Sequence, residues 1–292
     1  MRGANSVQKT NEQSWLLIAA TIFSLIAFAA NSVFCRLALR SGDIDADSFT
    51  VIRLLGGALV LLPLYFKPSK TSSSSGTWRG GFYLFVYAYL FSLAYVQLDA
   101  GGGALILFGA VQMTMFALGM RGGEKLQIWV VLGMLMAFSG LVVLLAPGGS
   151  APDLESALFM AVSGIAWGCY SVLGKRSESP AQDTAGNFLR SLPPMVVVAA
   201  IGLAKASLHI TPTGAIYAVA SGVLASGAGY VVWYAVVKRI RAQTAATLQL
   251  SVPVLASIAG VVLLSEPLSA RMVAASLIVL GGIALALLGA KR

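Results

Sequence analysis

Histidine occurs once and cysteine twice in these 292 residues, and only 11% of the chain is charged. Each scarcity closes off a class of proteins. His209, Cys35 and Cys169 stand far apart and leave no zinc-ligand cluster. Two thiols inside apolar runs do not make a disulfide framework. A soluble domain carries about 25% charged residues, so this chain has too few polar groups to cover a water-facing surface. Carboxylates are scarcer still, eleven in all, and none lies near the middle of an apolar run. Such intramembrane acids are the usual proton carriers of pumps. No Gly-rich loop with its Lys is present for nucleotide phosphates. No His or Asp lies within an apolar run to build a nucleophile–base pair, which argues against a membrane enzyme. No cofactor or metal is implied. The net charge of +9 then bears on membrane orientation rather than on nucleic acid.

What the chain has is apolar length: hydrophobic residues make up 58% of it. Residues 14–35 carry no charge and are long enough to cross a hydrocarbon core of about 30 Å. A cleavable signal is the rival reading there, since Ala27-Phe28-Ala29 resembles a small-residue cleavage site. Against it, the run continues past the site and has a counterpart in mid-chain. Further spans are predicted at 47–66, 80–98, 102–120, 127–146, 155–174, 184–204, 214–237, 242–264 and 269–289. The expected fold class is an all-α membrane protein of ten transmembrane helices. Its parts are a loose polar tail (1–14), a first five-helix repeat (15–146), a Pro/Gly joint (147–153) and a second repeat (154–292).

The halves echo each other. SGIAWGCYSVLGKR (163–176) matches LIAFAANSVFCR (25–36): Trp167 follows Phe28, and Lys175 follows Arg36, by the same 139 positions. Only the second and seventh spans hold a charge well inside, Arg53 and Arg190, 137 positions apart. The fourth and ninth close on turns bearing Glu124 and Glu266, 142 positions apart. A duplicated unit of five helices enters the membrane from the opposite side in its second copy. This is the inverted repeat of secondary transporters. With the N-terminus cytoplasmic, fourteen Lys and Arg fall at cytoplasmic ends and four outside, Arg53 and Arg190 apart. Asp43, Asp45, Asp47, Asp99, Asp153, Glu155 and Glu266 gather on the outer side. The basic excess places both termini in the cytoplasm.

These residues carry a family resemblance. Two inverted sets of five helices, WGCYSVLGK in the sixth, its weaker copy in the first, and Pro253 followed by SEPL closing the ninth resemble the drug/metabolite transporter superfamily, EamA type. Within it the chain is similar to the YddG-type exporters of aromatic and other amino acids. The resemblance implies an exporter in the cell inner membrane, working by alternating access. The first half departs from the pattern, with Phe28-Ala29 for Trp-Gly and Val111 for the Pro. The two halves therefore need not contribute equally to a site.

Polar and aromatic residues deep in helices are costly facing lipid and turn inward. The candidate substrate cavity draws on Asn31 and Ser32 in the first span, Tyr83 and Tyr87 in the third, and Gln112 in the fourth. Trp167 and Tyr170 in the sixth, Tyr230 and Trp233 in the eighth, and Gln249 in the ninth complete it. An aromatic wall with a few amides suits a small amphipathic solute. Each feature also has a plainer reading. Tyr95 and Tyr234 fit interface anchors. The amides fit helix–helix bonds. Glu124 and Glu266 fit caps of the next helix, and Arg36 and Lys175 fit snorkelling anchors. His209 has no assigned role. The implied partners are a small-molecule substrate and the lipid bilayer, with no nucleic acid, and a monomer suffices. A same-fold carrier of drugs, nucleotide sugars or sugar phosphates is the alternative; for anionic cargo Arg53 or Arg190 could serve. A channel would show a ring of charges or a carbonyl-rich filter motif, and neither is visible.

Overall fold

A computed structural model of the chain describes residues 2–67, 75–121, 127–146, 151–175, 177–240, 245, 248–249 and 251–289. Ten helices run through them. In the first half they are α1 (Arg2–Arg40), α2 (Ala46–Tyr65), α3 (Trp78–Tyr95), α4 (Ala100–Arg121) and α5 (Ile128–Leu145). In the second they are α6 (Leu154–Gly174), α7 (Pro180–Ala204), α8 (Pro212–Val237), α9 (Ser251–Leu264) and α10 (Ala270–Gly289). Among the described residues the only β pairing is an isolated bridge between Ile44 and Ile210. The Ser-rich residues 71–74, Glu124 with Lys125, and the joint residues 147–150 lie outside the described residues.

Starts are set by side-chain caps. The oxygens of Asp45, Thr77, Asp153 and Thr211 accept N–H groups of Ser48, Gly80, Ser156 and Gly214 in turn, satisfying donors that a first turn leaves open. The backbone bond from Ser156 holds the Asp153 carboxyl below its usual range. Pro180 and Pro212 occupy first-turn positions, where proline forfeits no bond. One expectation is corrected: the tail, read as loose, is helical from Arg2 and continuous with α1. From Ala4 to Arg40 there is no Gly or Pro to stop it.

Six of the helices are long and apolar enough to cross a membrane, with shorter apolar stretches in α5, α9 and α10. Large apolar side chains such as Leu59, Leu135, Val196 and Leu277 face outward on every side. Such a surface is costly in water and costs nothing against lipid tails. The protein is an all-α, multi-pass membrane protein.

Packing follows the duplication. α3 lies on α6 as α8 lies on α1, and α4 on α6 as α9 on α1; α2 meets α7, α4 meets α9 and α5 meets α10. Every one of these contacts joins the two halves. At one end of the bundle the α1–α2 loop meets the α7–α8 loop, with Asp45 N–H donating to His209 O (3.0 Å) and Thr211 N–H to Asp43 O (2.7 Å). At the other end the start of α3 meets α7: Gly76 N–H donates to Asp183 Oδ1 (2.9 Å) and Thr77 N–H to Asn187 Oδ1 (2.8 Å). We call these the Glu266 end and the Asp183 end.

Candidate functional site

Between the two ends lies a buried polar cluster centred on Arg53, which is 0% exposed. It sits eight residues into α2, where Gly222 of α8 allows close approach: a Cβ at Gly222 would stand 2.3 Å from the Arg53 carbonyl oxygen. The guanidinium donates from Nε to Ser226 Oγ (3.0 Å), and from one terminal nitrogen to the hydroxyls of Tyr87 (3.0 Å) and Tyr230 (2.8 Å). It also lies over the rings of Tyr87 (5.1 Å) and Phe91 (4.9 Å). Its other terminal nitrogen has no hydrogen-bond partner among the described residues. Asn31 of α1 donates to the Tyr87 hydroxyl (3.0 Å) and accepts from Ser221 Oγ (2.5 Å). Tyr230 donates to Tyr87 across 3.0 Å. Helices from both halves thus close on one guanidinium.

Local backbone helps. Residues Ser221–Ala228 of α8 wind as a π-helix. Five positions separate Ser221 from Ser226. On an α-helix, where neighbours are three or four apart, they would diverge; with i→i+5 bonding they share a face. Both hydroxyls therefore reach Asn31 Oδ1, at 2.5 and 3.5 Å.

An aromatic wall adjoins the cluster. Trp167 stands 4.8 Å from Tyr87, 4.7 Å from Tyr230, 5.4 Å from Tyr170 and 5.5 Å from Phe28 between ring centroids. Its indole N–H reaches Gln249 Oε1 at 3.4 Å, and Trp233 packs on Phe28 at 5.4 Å. Phe28 and Trp167, equivalent in the repeat, thus touch at the centre.

Of the ten predicted cavity residues, seven come together here: Asn31, Tyr87, Trp167, Tyr170, Tyr230, Trp233 and Gln249. Three stand apart. Ser32, one position beyond Asn31, is buried on the adjoining face beside Tyr95. Tyr83 is half-buried and its ring neighbours Phe82. Gln112 is buried on α4, which packs chiefly on α6 and α9. The sequence reading left Arg53 out of its cavity set and named it, with Arg190, only for anionic cargo, although an uncompensated charge in mid-span was the signal that could have placed it there. Ser221 and Ser226 carried no such signal, because their convergence depends on the π segment.

Three plainer readings and one part of the alternative are corrected. Tyr95 and Tyr234 are not interface anchors: both are buried, their hydroxyls donating to Ala100 O (3.2 Å) and Tyr170 O (3.1 Å). Arg36 is no snorkelling anchor: it pairs with Glu266 (3.0 Å) and donates to Tyr95 O and Val96 O. Glu266 does not cap the helix after it. Its other oxygen accepts the Ala100 N–H at the start of α4 (2.8 Å), because the turn folds back with Glu266 N–H donating to Gly260 O (3.1 Å). These bonds tie α1, α3, α4 and α9 together at the Glu266 end. Arg190 is no cavity cation: it is half-buried, bonds to Ser75 O (2.6 Å) and lies 5.9 Å from the Trp78 ring.

The sequence pattern of the EamA-like transporter family matches residues 154–288, from α6 into α10. A Pseudomonas aeruginosa protein described as uncharacterized is 50% identical over 269 residues, covering 91% of this chain and 93% of its own length. The chain belongs to the EamA-like transporter family. An uncharacterized transporter of Archaeoglobus fulgidus is 26% identical, covering 93% of this chain and 97% of its own. The same arrangement of helices is found in a crystal structure 22% identical, covering 94% of this chain and 97% of that one with a TM-score of 0.67. EamA-like membership points to a transporter rather than an enzyme. The EamA-like match contains Trp167, Tyr170, Tyr230, Trp233 and Gln249, whereas Asn31, Arg53 and Tyr87 come from the other half.

Proposed function

We propose that this protein is a secondary transporter of the inner membrane. It exports small amphipathic metabolites, amino acids including aromatic ones first, by alternating access around the Arg53–Trp167 cluster. The observation that carries this reading is the placement of that cluster. A polar centre walled by aromatic rings, buried at the junction of two duplicated halves, is what a carrier of amphipathic solutes needs at its midpoint. No carboxylate adjoins Arg53 among the described residues, so the transport step runs without a midplane proton carrier.

Counterflow tests this. Proteoliposomes preloaded with unlabelled phenylalanine should take up labelled phenylalanine without an imposed proton gradient. Uptake that needs a pH gradient and vanishes with an ionophore would overturn the uncoupled step. Absence of exchange for a whole amino-acid panel would overturn the cargo. Orientation has its own test. With Cys35 and Cys169 replaced by serine, Ser75→Cys should label only from the cytoplasmic side and Ala151→Cys only from outside; labelling of both from one side defeats the inverted arrangement. The second reading, a carrier of sugar phosphates or nucleotide sugars, draws its support from the buried cation itself.

A further inference from the structure

Arg53 brings a full positive charge into the core, and a charge buried there is costly unless paired. The other two arginines set within the helix bundle have found acceptors that suit them. Arg36 has the Glu266 carboxylate and two carbonyl oxygens; Arg190 has the carbonyls of Ser75 and Gly186. Among the described residues Arg53 donates only to neutral hydroxyls, and one terminal nitrogen has no hydrogen-bond partner.

The hydroxyls themselves are over-supplied with donors. Three point at the Tyr87 oxygen: Asn31 Nδ2, Arg53 and the Tyr230 hydroxyl, each at 3.0 Å. A hydroxyl has two lone pairs to offer. The buried indole N–H of Trp233 has no acceptor among the described residues either. Around Arg53 and the Tyr87 hydroxyl, donors thus outnumber acceptors. A carboxylate supplies the missing elements, with about four lone-pair sites and a planar fork matched to guanidinium.

We infer that Arg53, with Tyr87 and Tyr230, is the receptor for a carboxylate on the transported solute, so that the cargo carries a single carboxylate, plain or of an amino acid, attached to an apolar or aromatic body. This rests on the central-site reading above and narrows it. One anion is selected over others by charge count. Among the described residues Arg53 is the single cation in the cluster, and a dianionic phosphate would leave one negative charge buried without a partner. The body is selected by the wall: the Trp167 ring stands 4.8 and 4.7 Å from the rings of Tyr87 and Tyr230 between centroids, and Phe28 packs on both Trp167 and Trp233.

The test uses the full chain in detergent micelles, with tryptophan fluorescence and melting temperature as readouts. The probes are L-phenylalanine, 3-phenylpropionate, phenylalaninamide and phenyl phosphate. The first two separate an amino-acid carboxylate from a plain one. The third removes the carboxylate, and the fourth replaces it with a dianion. The better acid should bind at least about tenfold more tightly than the amide, the step expected for hydrogen bonds to a charged group. Phenyl phosphate should also bind more weakly than the better acid. In Arg53→Gln the advantage of acid over amide should disappear. In Arg53→Lys, which keeps the charge and so guards against a folding failure of the first variant, the acid should remain preferred at reduced affinity. Equal binding of acid and amide, tighter binding of phenyl phosphate, or no binding by either acid overturns the inference. Counterflow of a neutral solute alongside any of those results would remove the carboxylate site and leave the transporter reading standing.

Discussion

Arg53 and Arg190 hold matching places in the two halves, yet the fold treats them as opposites. Arg53 runs into the centre and meets hydroxyls from α3 and α8. Arg190 turns back along α7 to the carbonyls of Gly186 and Ser75 at the Asp183 end. The cause is local packing. A Cβ on Gly81 of α3 would stand 2.5 Å from the Arg190 Cβ, so the stem of Arg190 is pressed against α3. Its long side chain then follows the tilt of helical Cα–Cβ bonds toward the N-terminus of α7. Duplication copies a residue, but the neighbours decide what the residue does.

The largest expected effect breaks this pair directly. Arg53→Gln should lower the counterflow rate by about 100-fold, the upper range for lost hydrogen bonds to a charged group. Arg190→Gln, which removes half-buried bonds to the carbonyls of Ser75 and Gly186, should cost about threefold or less. Equal losses would erase the distinction between the arginines.

Next in size is the other duplicated pair at the centre, Phe28 and Trp167. Truncating a large core side chain costs about 3–5 kcal/mol, so Trp167→Ala should lower the melting temperature, and if the ring lines the substrate path it should also abolish transport in protein that still inserts and stays monodisperse. Phe28→Leu, a milder change in size, should keep transport within a few-fold. Wild-type transport by Trp167→Ala would remove the aromatic wall from the site.

The two ends differ as well. The Glu266 end is closed by an ion pair, Arg36–Glu266, with side-chain exposures of 11% and 8%. At the Asp183 end an acid serves neutral donors, Gly76 N–H and Ser177 Oγ–H. A double-mutant cycle of Arg36→Gln with Glu266→Gln, read by thermal unfolding, should show coupling of about 1–3 kcal/mol. Asp183→Ala should cost about 1 kcal/mol, as for a lost capping oxygen. Ser226→Ala, which removes one buried hydrogen bond to Arg53, should cost about 1.5–3 kcal/mol of stability, with a modest rise in the apparent Kd for the acid.

Legibility in the sequence tracked the range of the interactions. The ten helices were readable because apolar length is a property of consecutive residues; α2 to α8 and α10 begin and end within a few positions of the predicted spans. The aromatic residues at the centre were readable because Tyr230 and Trp233, three apart, share a helix face. Glu266 misled because a Glu before a Pro suits a helix start, yet its partner Arg36 lies 230 positions away. Tyr95 and Tyr234 misled because a helix end looks like the membrane interface until another helix covers it.

The sequence by itself determined the membrane, the helices, the duplication and the aromatic stock of the centre. Hydropathy, charge placement and internal repetition need no knowledge of contacts. Only the tertiary structure decided that Arg53 would be the hub, since its partners Tyr87, Ser226 and Tyr230 lie 34, 173 and 177 positions away. It alone decided that Ser221 and Ser226 would face Asn31, because a π turn moves residues five apart onto one face. A lone arginine in an apolar run states its cost in the sequence; which groups offset that cost depends on the helices that surround it.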